Sequence, residues 1–305
     1  MLLRQVALIS DVSHSQISFS ELTKVSAALQ KQASRDFSPI WEVNATIDAF
    51  HKLEDVPTGY WPIIIKNDIK EPGAAGVHED KKGQPFALVQ FDESWPLTAS
   101  HECLEMLADP FGNRLIAGQS PMKRQGRVEF LVEVCDPSED SAFAYRVNGM
   151  TVSDFYTPHF FEPVASSGVR YSFTDAIKKP RQVLQGGYLS WHDPVSDHWY
   201  QETFFGAKKS FRDLGVFGKL EESLRSTINR LTFKALEFSA MTTQRLAVAR
   251  RAEKMVDDST NAEAASLRAY INKLIAQAKA DAKAYNSINA KANGSGKRAA
   301  AIAGR

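Results

Sequence analysis

The segment Thr98-Ala-Ser-His101-Glu102-Cys103-Leu-Glu105-Met-Leu-Ala-Asp109-Pro110 constrains this chain more than any other stretch. It is mostly apolar, and Pro110 closes it because proline cannot continue a helix, so a helix is expected over about residues 94–109. At about 100° per residue, Thr98, His101, Glu102, Glu105 and Asp109 fall within one arc of about 100°. Leu97, Ala99, Ser100, Cys103, Leu104, Met106, Leu107 and Ala108 fill the remainder. A helix of this kind must be covered on most sides and turn one narrow, acidic, histidine-bearing stripe toward something polar.

Metal chemistry gives that stripe a reason. His101 and Glu105 stand one turn apart and can offer a nitrogen and an oxygen to one ion, each at about 2 Å. Glu102 points beside such an ion, where a general base takes a proton from bound water. The pattern is H-E-x-x-H with glutamate in place of the second histidine. Asp109 rises about 12 Å along the axis from His101, too far to share the ion, and is expected either to hydrogen-bond to the ligands from behind or to make a helix-end contact. A third ligand must come from elsewhere, and Val132-Glu133-Val134-Cys135-Asp136-Pro137 is the best source. A carboxylate in such an apolar strand is costly unless paired or metal-bound, which favours Glu133, with Asp136 as the alternative.

Around this helix the pattern is mixed. Val6–Ile9 reads as a strand, and Ser18-Phe-Ser-Glu21 has capping-box spacing ahead of a helix over about residues 19–34. Pro39–Ala45 and Trp61–Ile65 read as strands, the second apolar enough to be central. Gly73–His78 and Pro85–Phe91 are extended runs joined by a turn-like Asp80-Lys-Lys-Gly83. Arg127–Cys135, Tyr145–Val147, Val152–Phe155, Tyr188–Trp191 and Trp199–Phe204 read as further strands. From about Lys208, Gly and Pro nearly vanish and two or three helices are expected to about residue 290, paired as a hairpin or coiled-coil-like arm. The net charge of +1 conceals a split: residues 206–305 hold 19 basic and 9 acidic side chains, whereas residues 1–205 hold 18 and 27. The expected organisation is an α+β domain over 1–205, an all-α region over 206–290 and a disordered basic tail over 291–305.

His101-Glu102-x-x-Glu105-x-x-x-Asp109-Pro110, then Asn113, then Glu133-x-x-Asp136 with Cys135 one position off, resembles a zincin-type motif. Uncharacterised bacterial proteins carry it, as do, more distantly, EXORDIUM-like phosphate-induced proteins. The resemblance covers about residues 95–160. It implies a zincin-like mixed sheet in which an edge strand above the active helix holds substrate by backbone pairing, and Gly73–His78 is the candidate for that strand. One histidine and two carboxylates make a harder, more anionic site than two histidines.

The other histidines read more plainly. His78 is expected at a strand end on the surface, with oxyanion stabilisation or metal ligation as the alternative. His159 reads as packed under aromatics, and His192 and His198 as loop residues, each an alternative source of the missing ligand. Tyr145 and Tyr156 are candidate donors to a tetrahedral intermediate, with packing as the plainer role. Cys103 lies opposite the stripe and reads as a core cysteine. With two cysteines the chain cannot be a disulfide scaffold, and a reducing, cytoplasmic setting is expected. No apolar run reaches the about 18 residues of a membrane span.

These observations lead to a metal-dependent hydrolase of the metallopeptidase type. His101, Glu105 and Glu133 would bind zinc or another divalent metal, and Glu102 would activate a metal-bound water against a peptide or amide carbonyl. The alternative is a catalytically inactive zincin-fold binding or structural protein that assembles through its basic arm. A peptide or protein substrate, and a second copy or a protein partner at residues 206–290, are the expected partners. Nucleic acid is not favoured, because the basic charge is spread thinly and partly balanced by acids.

Overall fold

The computed structural model describes residues 3–71 and 73–232, and these belong to one compact unit. The helices expected beyond residue 232 and the basic tail lie outside the described residues.

In chain order the elements are β1 (Leu3–Ser10), α1 (Phe19–Lys31), α2 (Ser38–Trp41), β2 (Asn44–Phe50), β3 (Trp61–Lys66), β4 (Gly76–Lys81), β5 (Gln84–Gln90), α3 (Trp95–Ala108), β6 (Leu115–Gln119), β7 (Arg127–Leu131), β8 (Tyr145–Val147), β9 (Met150–Val152), β10 (Tyr188–Asp193), β11 (His198–Thr203), β12 (Ser210–Gly215) and α4 (Leu224–Thr232). The fold is a mixture of helix and sheet, as the sequence pattern implies.

The first sheet has the order β2-β1-β3-β5-β4. Its first four strands run parallel, while β4 pairs antiparallel with β5 and forms an edge. The apolar content of each strand matches its place. Val6, Ala7, Leu8 and Ile9 of β1 are all buried, as a strand covered on both faces requires, whereas β3 buries the alternate residues Ile63 and Ile65 on one face. The second sheet is wholly antiparallel, in the order β12-β11-β10-β7-β6, and β8 and β9 form a separate hairpin. One hydrophobic core joins the two sheets, from Val6 and Leu8 to Phe130 and Trp191.

α1 begins as its sequence implies: the Ser18 side chain accepts a hydrogen bond from the Glu21 N–H at 3.2 Å. After Lys31 the helix loosens into a π-helical stretch, Gln32–Phe37. This widening places Gln32 in the interior, where its amide donates to Ser153 O at 2.9 Å and accepts from Ser100 Oγ at 2.8 Å. Pro39–Ala45, expected as a strand, instead opens with α2. Pro39 suits a helix's first turn, and Glu42, at φ 56°, ends the helix in the left-handed region. β12 likewise replaces the helix expected from about residue 208. Its Ser-Phe-Arg-Asp-Leu-Gly sequence is mostly exposed at a sheet edge and carries no alternating apolar face to announce a strand.

α3 packs on β3, β4 and β5 and touches α1 and β9. Leu104, Met106, Leu107, Ala99 and Cys103 are buried, and only Pro96, Leu97, Thr98 and His101 keep partial exposure. Among the described residues no helix is long and apolar enough to cross a membrane.

Candidate metal centre

α3 delivers three side chains to one buried polar cluster. His101 Nε2 lies 3.3 Å from Glu105 Oε1 and 3.1 Å from Asp136 Oδ1. Glu105, Glu133 and Asp136 each offer an oxygen within 4.8 Å of the others. His101, Glu105 and both candidates for the third ligand therefore converge, and His101 makes its close approach to Asp136. Glu105 is fully buried, Glu102, Glu133 and Asp136 nearly so, and His101 is 12% exposed.

The segment bearing Glu133 and Asp136 leaves β7 and is pinned before it turns at Asp136–Ser138. Val132 N–H donates to Arg114 O at 2.9 Å, and Glu133 N–H donates to the Tyr156 hydroxyl at 3.0 Å. Cys135 N–H donates to Glu105 Oε1 at 3.1 Å, tying the segment directly to α3. Tyr156, weighed from the sequence as a donor to substrate, is fully buried and instead orients the Glu133 backbone. Tyr145 donates to Asp36 at 2.8 Å and acts elsewhere.

Two more residues join the cluster, one that the sequence offered as a ligand only as an alternative and one that it did not offer. The first is His78 on β4. It is 0% exposed, which corrects the expectation of a surface histidine. Its Nδ1 lies 3.6 Å from Glu102 Oε2 and 3.6 Å from Glu105 Oε2. β4 crosses close over α3 because Gly76 has no side chain: a Cβ there would stand 2.6 Å from Glu102 Oε1 and 2.7 Å from Thr98 Cγ2. The small-residue run Gly73-Ala-Ala-Gly76 ahead of His78 was the available signal, since glycine in a strand marks a close backbone approach.

The second is Arg225 on α4, whose guanidinium is buried among the carboxylates. Nη1 pairs with Glu133 Oε2 and donates to Asp136 Oδ2 at 2.8 Å, while Nη2 lies 3.6 Å from Glu105 Oε2. The loop after α3 sets this arrangement. Asp109 ends the helix and its carboxylate accepts from Arg114 N–H at 2.7 Å, a helix-end contact, which is one of the two roles the sequence left open for it. Gly112 O then accepts from Arg225 N–H at 3.0 Å, and Asn113 Oδ1 accepts from Leu224 N–H at 2.9 Å. Gly112 sits at φ 61°, and a Cβ there would meet Arg225 Cβ at 2.8 Å. The Asp-Pro-x-Gly-Asn stretch is thus a clamp for the start of α4.

The electrostatics follow from burial and crowding. Burial alone would lower the pKa of His78, but Glu102 and Glu105 outweigh it and hold it up to about 9. Burial opposes protonation of His101 too, yet Glu105 and Asp136 raise it well above 6.5. Burial would raise Glu105, but His101, His78 and Arg225 hold it well below the usual carboxylate range. Burial and the neighbouring Glu105 push Asp136 well above that range. Cations and shared protons are what make four carboxylates tolerable in one interior.

The donor set fits a divalent metal. Among the described residues, both His78 nitrogens, Glu102 Oε2, Glu105 Oε2, Glu133 Oε1 and Asp136 Oδ1 are buried without a hydrogen-bond partner. Buried polar atoms are rarely left so, and several facing one another could hold an ion. Three groups of mutually close donors occur among the described residues: His78, Glu102 and Glu105; Glu105, Glu133 and Asp136; and His101, Asp136 and Glu139.

The three histidines weighed as alternative ligands stand apart from these groups, His159 being exposed rather than packed under aromatics and His192 and His198 lying on β10 and β11 rather than in loops. His159 pairs with Glu162 at 2.6 Å, His192 with Glu129 and Asp197 at 3.0 Å each, and His198 with Asp213 at 2.9 Å. Cys103 and Cys135 are both buried and free, and burial pushes the Cys103 thiol up to about 12, consistent with packing rather than nucleophilic chemistry. Comparison with protein-family models, with curated proteins and with solved structures finds no match to this chain.

Proposed function

We propose that the chain is a metal-dependent hydrolase of the metallopeptidase type, with zinc or a similar divalent ion held by His101, Glu105 and Asp136 or Glu133. The carrying observation is that His101 Nε2 lies 3.1 Å and 3.3 Å from carboxylate oxygens on two different elements. Two donors each about 2 Å from one tetrahedral ion stand about 3.3 Å apart, so these side chains need little movement to share one. A divalent ion bound there would acidify a water and polarise a carbonyl.

The chain's own residues supply the rest. Glu102, one position from His101 and on the same stripe, accepts the attacking water's proton and returns it to the leaving amine. The antiparallel edge strand β4 lies against α3 and offers an extended peptide a backbone to pair with. Cys135 N–H and the Tyr156 hydroxyl keep the carboxylates aimed. The zincin likeness of this arrangement rests on the mixed sheet with one antiparallel edge strand, followed directly by the His-Glu helix.

The test is elemental analysis of chelator-free protein, followed by a peptidase screen of the loaded form. One or more ions per chain, lost in His101→Ala, supports the reading. Glu102→Gln should keep the ion near His101 and lose about 10²- to 10⁴-fold in turnover. A protein that takes up no metal under any loading condition contradicts it.

Arg225 favours a second reading. Its guanidinium already pairs with Glu133 and Asp136, as a purely structural ionic cluster would require. On that reading the domain binds or assembles and does not cut, and the wild type and the Glu102→Gln variant alike show no turnover in the peptidase screen.

A further inference from the structure

Glu105 faces two histidines with two different oxygens. Oε1 lies 3.3 Å from His101 Nε2, and Oε2 lies 3.6 Å from His78 Nδ1. The histidines come from separate elements, α3 and β4, and fall in separate donor groups. Glu105 belongs to the group with His78 and Glu102 and also to the group with Glu133 and Asp136. A carboxylate with one oxygen turned to each of two ligand sets is the arrangement that bridges two ions, and hydrolases with paired metals hold them about 3.5–4 Å apart.

We infer that this chain binds a second divalent ion at His78, Glu102 Oε2 and Glu105 Oε2, next to the one assigned to His101, with Glu105 as the bridge. The inference rests on the metal reading above and extends it from one ion to two. Three further observations support it. His78 is fully buried, and neither of its nitrogens has a hydrogen-bond partner. A histidine needed only for packing would satisfy at least one of them. Glu102 Oε2 and Glu105 Oε2 are also buried without a hydrogen-bond partner, and each lies 3.6 Å from His78 Nδ1, too long for a hydrogen bond and close enough to share an ion with it. Finally, β4 is drawn against α3 by a glycine at the position that would otherwise strike Glu102, so the strand is set at the distance at which His78 reaches these oxygens. Ligation by Oε2 leaves the other Glu102 oxygen for the proton-accepting role. Arg225 Nη2, also 3.6 Å from Glu105 Oε2, must then withdraw toward Glu133 and Asp136 as the second ion enters.

The experiment counts ions. Full-length protein is stripped with chelator, loaded with Zn²⁺ at neutral pH, freed of excess metal and analysed for zinc and protein together. Wild type is expected to hold two ions per chain, His78→Gln one, and Glu105→Gln fewer than two. Loading with Mn²⁺ gives a second readout on wild type alone: a carboxylate-bridged pair shows an exchange-coupled electron paramagnetic resonance spectrum, whereas one isolated ion does not. One ion in wild type, unchanged in His78→Gln, overturns the second site and leaves the metal-hydrolase reading standing. No ion in wild type overturns both. The wild-type count decides even if His78→Gln fails to fold.

Discussion

At the residue scale, the cluster is a set of carboxylates that cannot all be buried without positive charge nearby. His78 shows the consequence for pH. Its pKa is raised from 6.5 to about 9 in the folded protein, so it favours folding fully below 6.5 and loses that contribution as pH rises through about 9. Chelator-treated protein should therefore unfold at lower denaturant concentration at pH 9.5 than at pH 6.5. That difference should shrink in His78→Gln, and a pH profile identical in variant and wild type contradicts the assignment. Metal loading reverses the sign, because ligand histidines must be neutral, so uptake should release protons and weaken as pH falls. His101, Glu102 and Glu105 were legible in the sequence because helical spacing alone puts them on one stripe. His78 was not, since a lone histidine after an apolar run has no periodic signature and its burial depends on what the strand crosses.

At the element scale, what positions the site is the fit of β4 over α3 and of the 132–136 segment against it. Gly76→Ala should cost about 1–3 kcal/mol in denaturant unfolding, as overpacking does, because its Cβ would stand 2.6 Å from Glu102 Oε1. A neutral result would show that α3 moves freely and is not set by the strand. Ser100 is the other fixed point on α3: its hydroxyl donates to Gln32 Oε1 at 2.8 Å and accepts from Ser153 N–H at 2.9 Å. Ser100→Ala leaves a buried N–H and an amide oxygen without partners and should cost about 1–3 kcal/mol. Most strands could be read from apolar runs and alternation. Those that could not include β6 (Leu115–Gln119), most of β2 (Asn44–Phe50), and β12, which is polar and sits at an edge; Pro39–Trp41, apolar and read as extended, is helical, since proline starts a helix as readily as it sits in extended chain.

At the scale of the whole molecule, sequence-distant pieces meet at one point. α4 returns from residue 224 to the loop after α3 and delivers Arg225 to carboxylates almost a hundred residues earlier, at Glu133 and Asp136. Nothing within Leu224–Thr232 distinguishes this arginine from a solvated one; its role depends on the Gly112–Asn113 clamp, which only the tertiary structure reveals. Truncating one partner of a buried ionic cluster usually costs about 3–5 kcal/mol, so Arg225→Met should destabilise chelator-treated protein by that order. Added Zn²⁺ should restore part of the loss, because an ion can neutralise the same carboxylates. If Zn²⁺ leaves the variant's stability unchanged, the carboxylates are not metal ligands. The central claim is that these side chains hold a divalent ion, and the most direct test is anomalous diffraction at the zinc edge from crystals of zinc-loaded protein. The account predicts a peak about 2 Å from His101 Nε2 and from carboxylate oxygens of Glu105 and of Asp136 or Glu133. A map with no peak there, and with Arg225 still paired to Glu133 and Asp136, would contradict it.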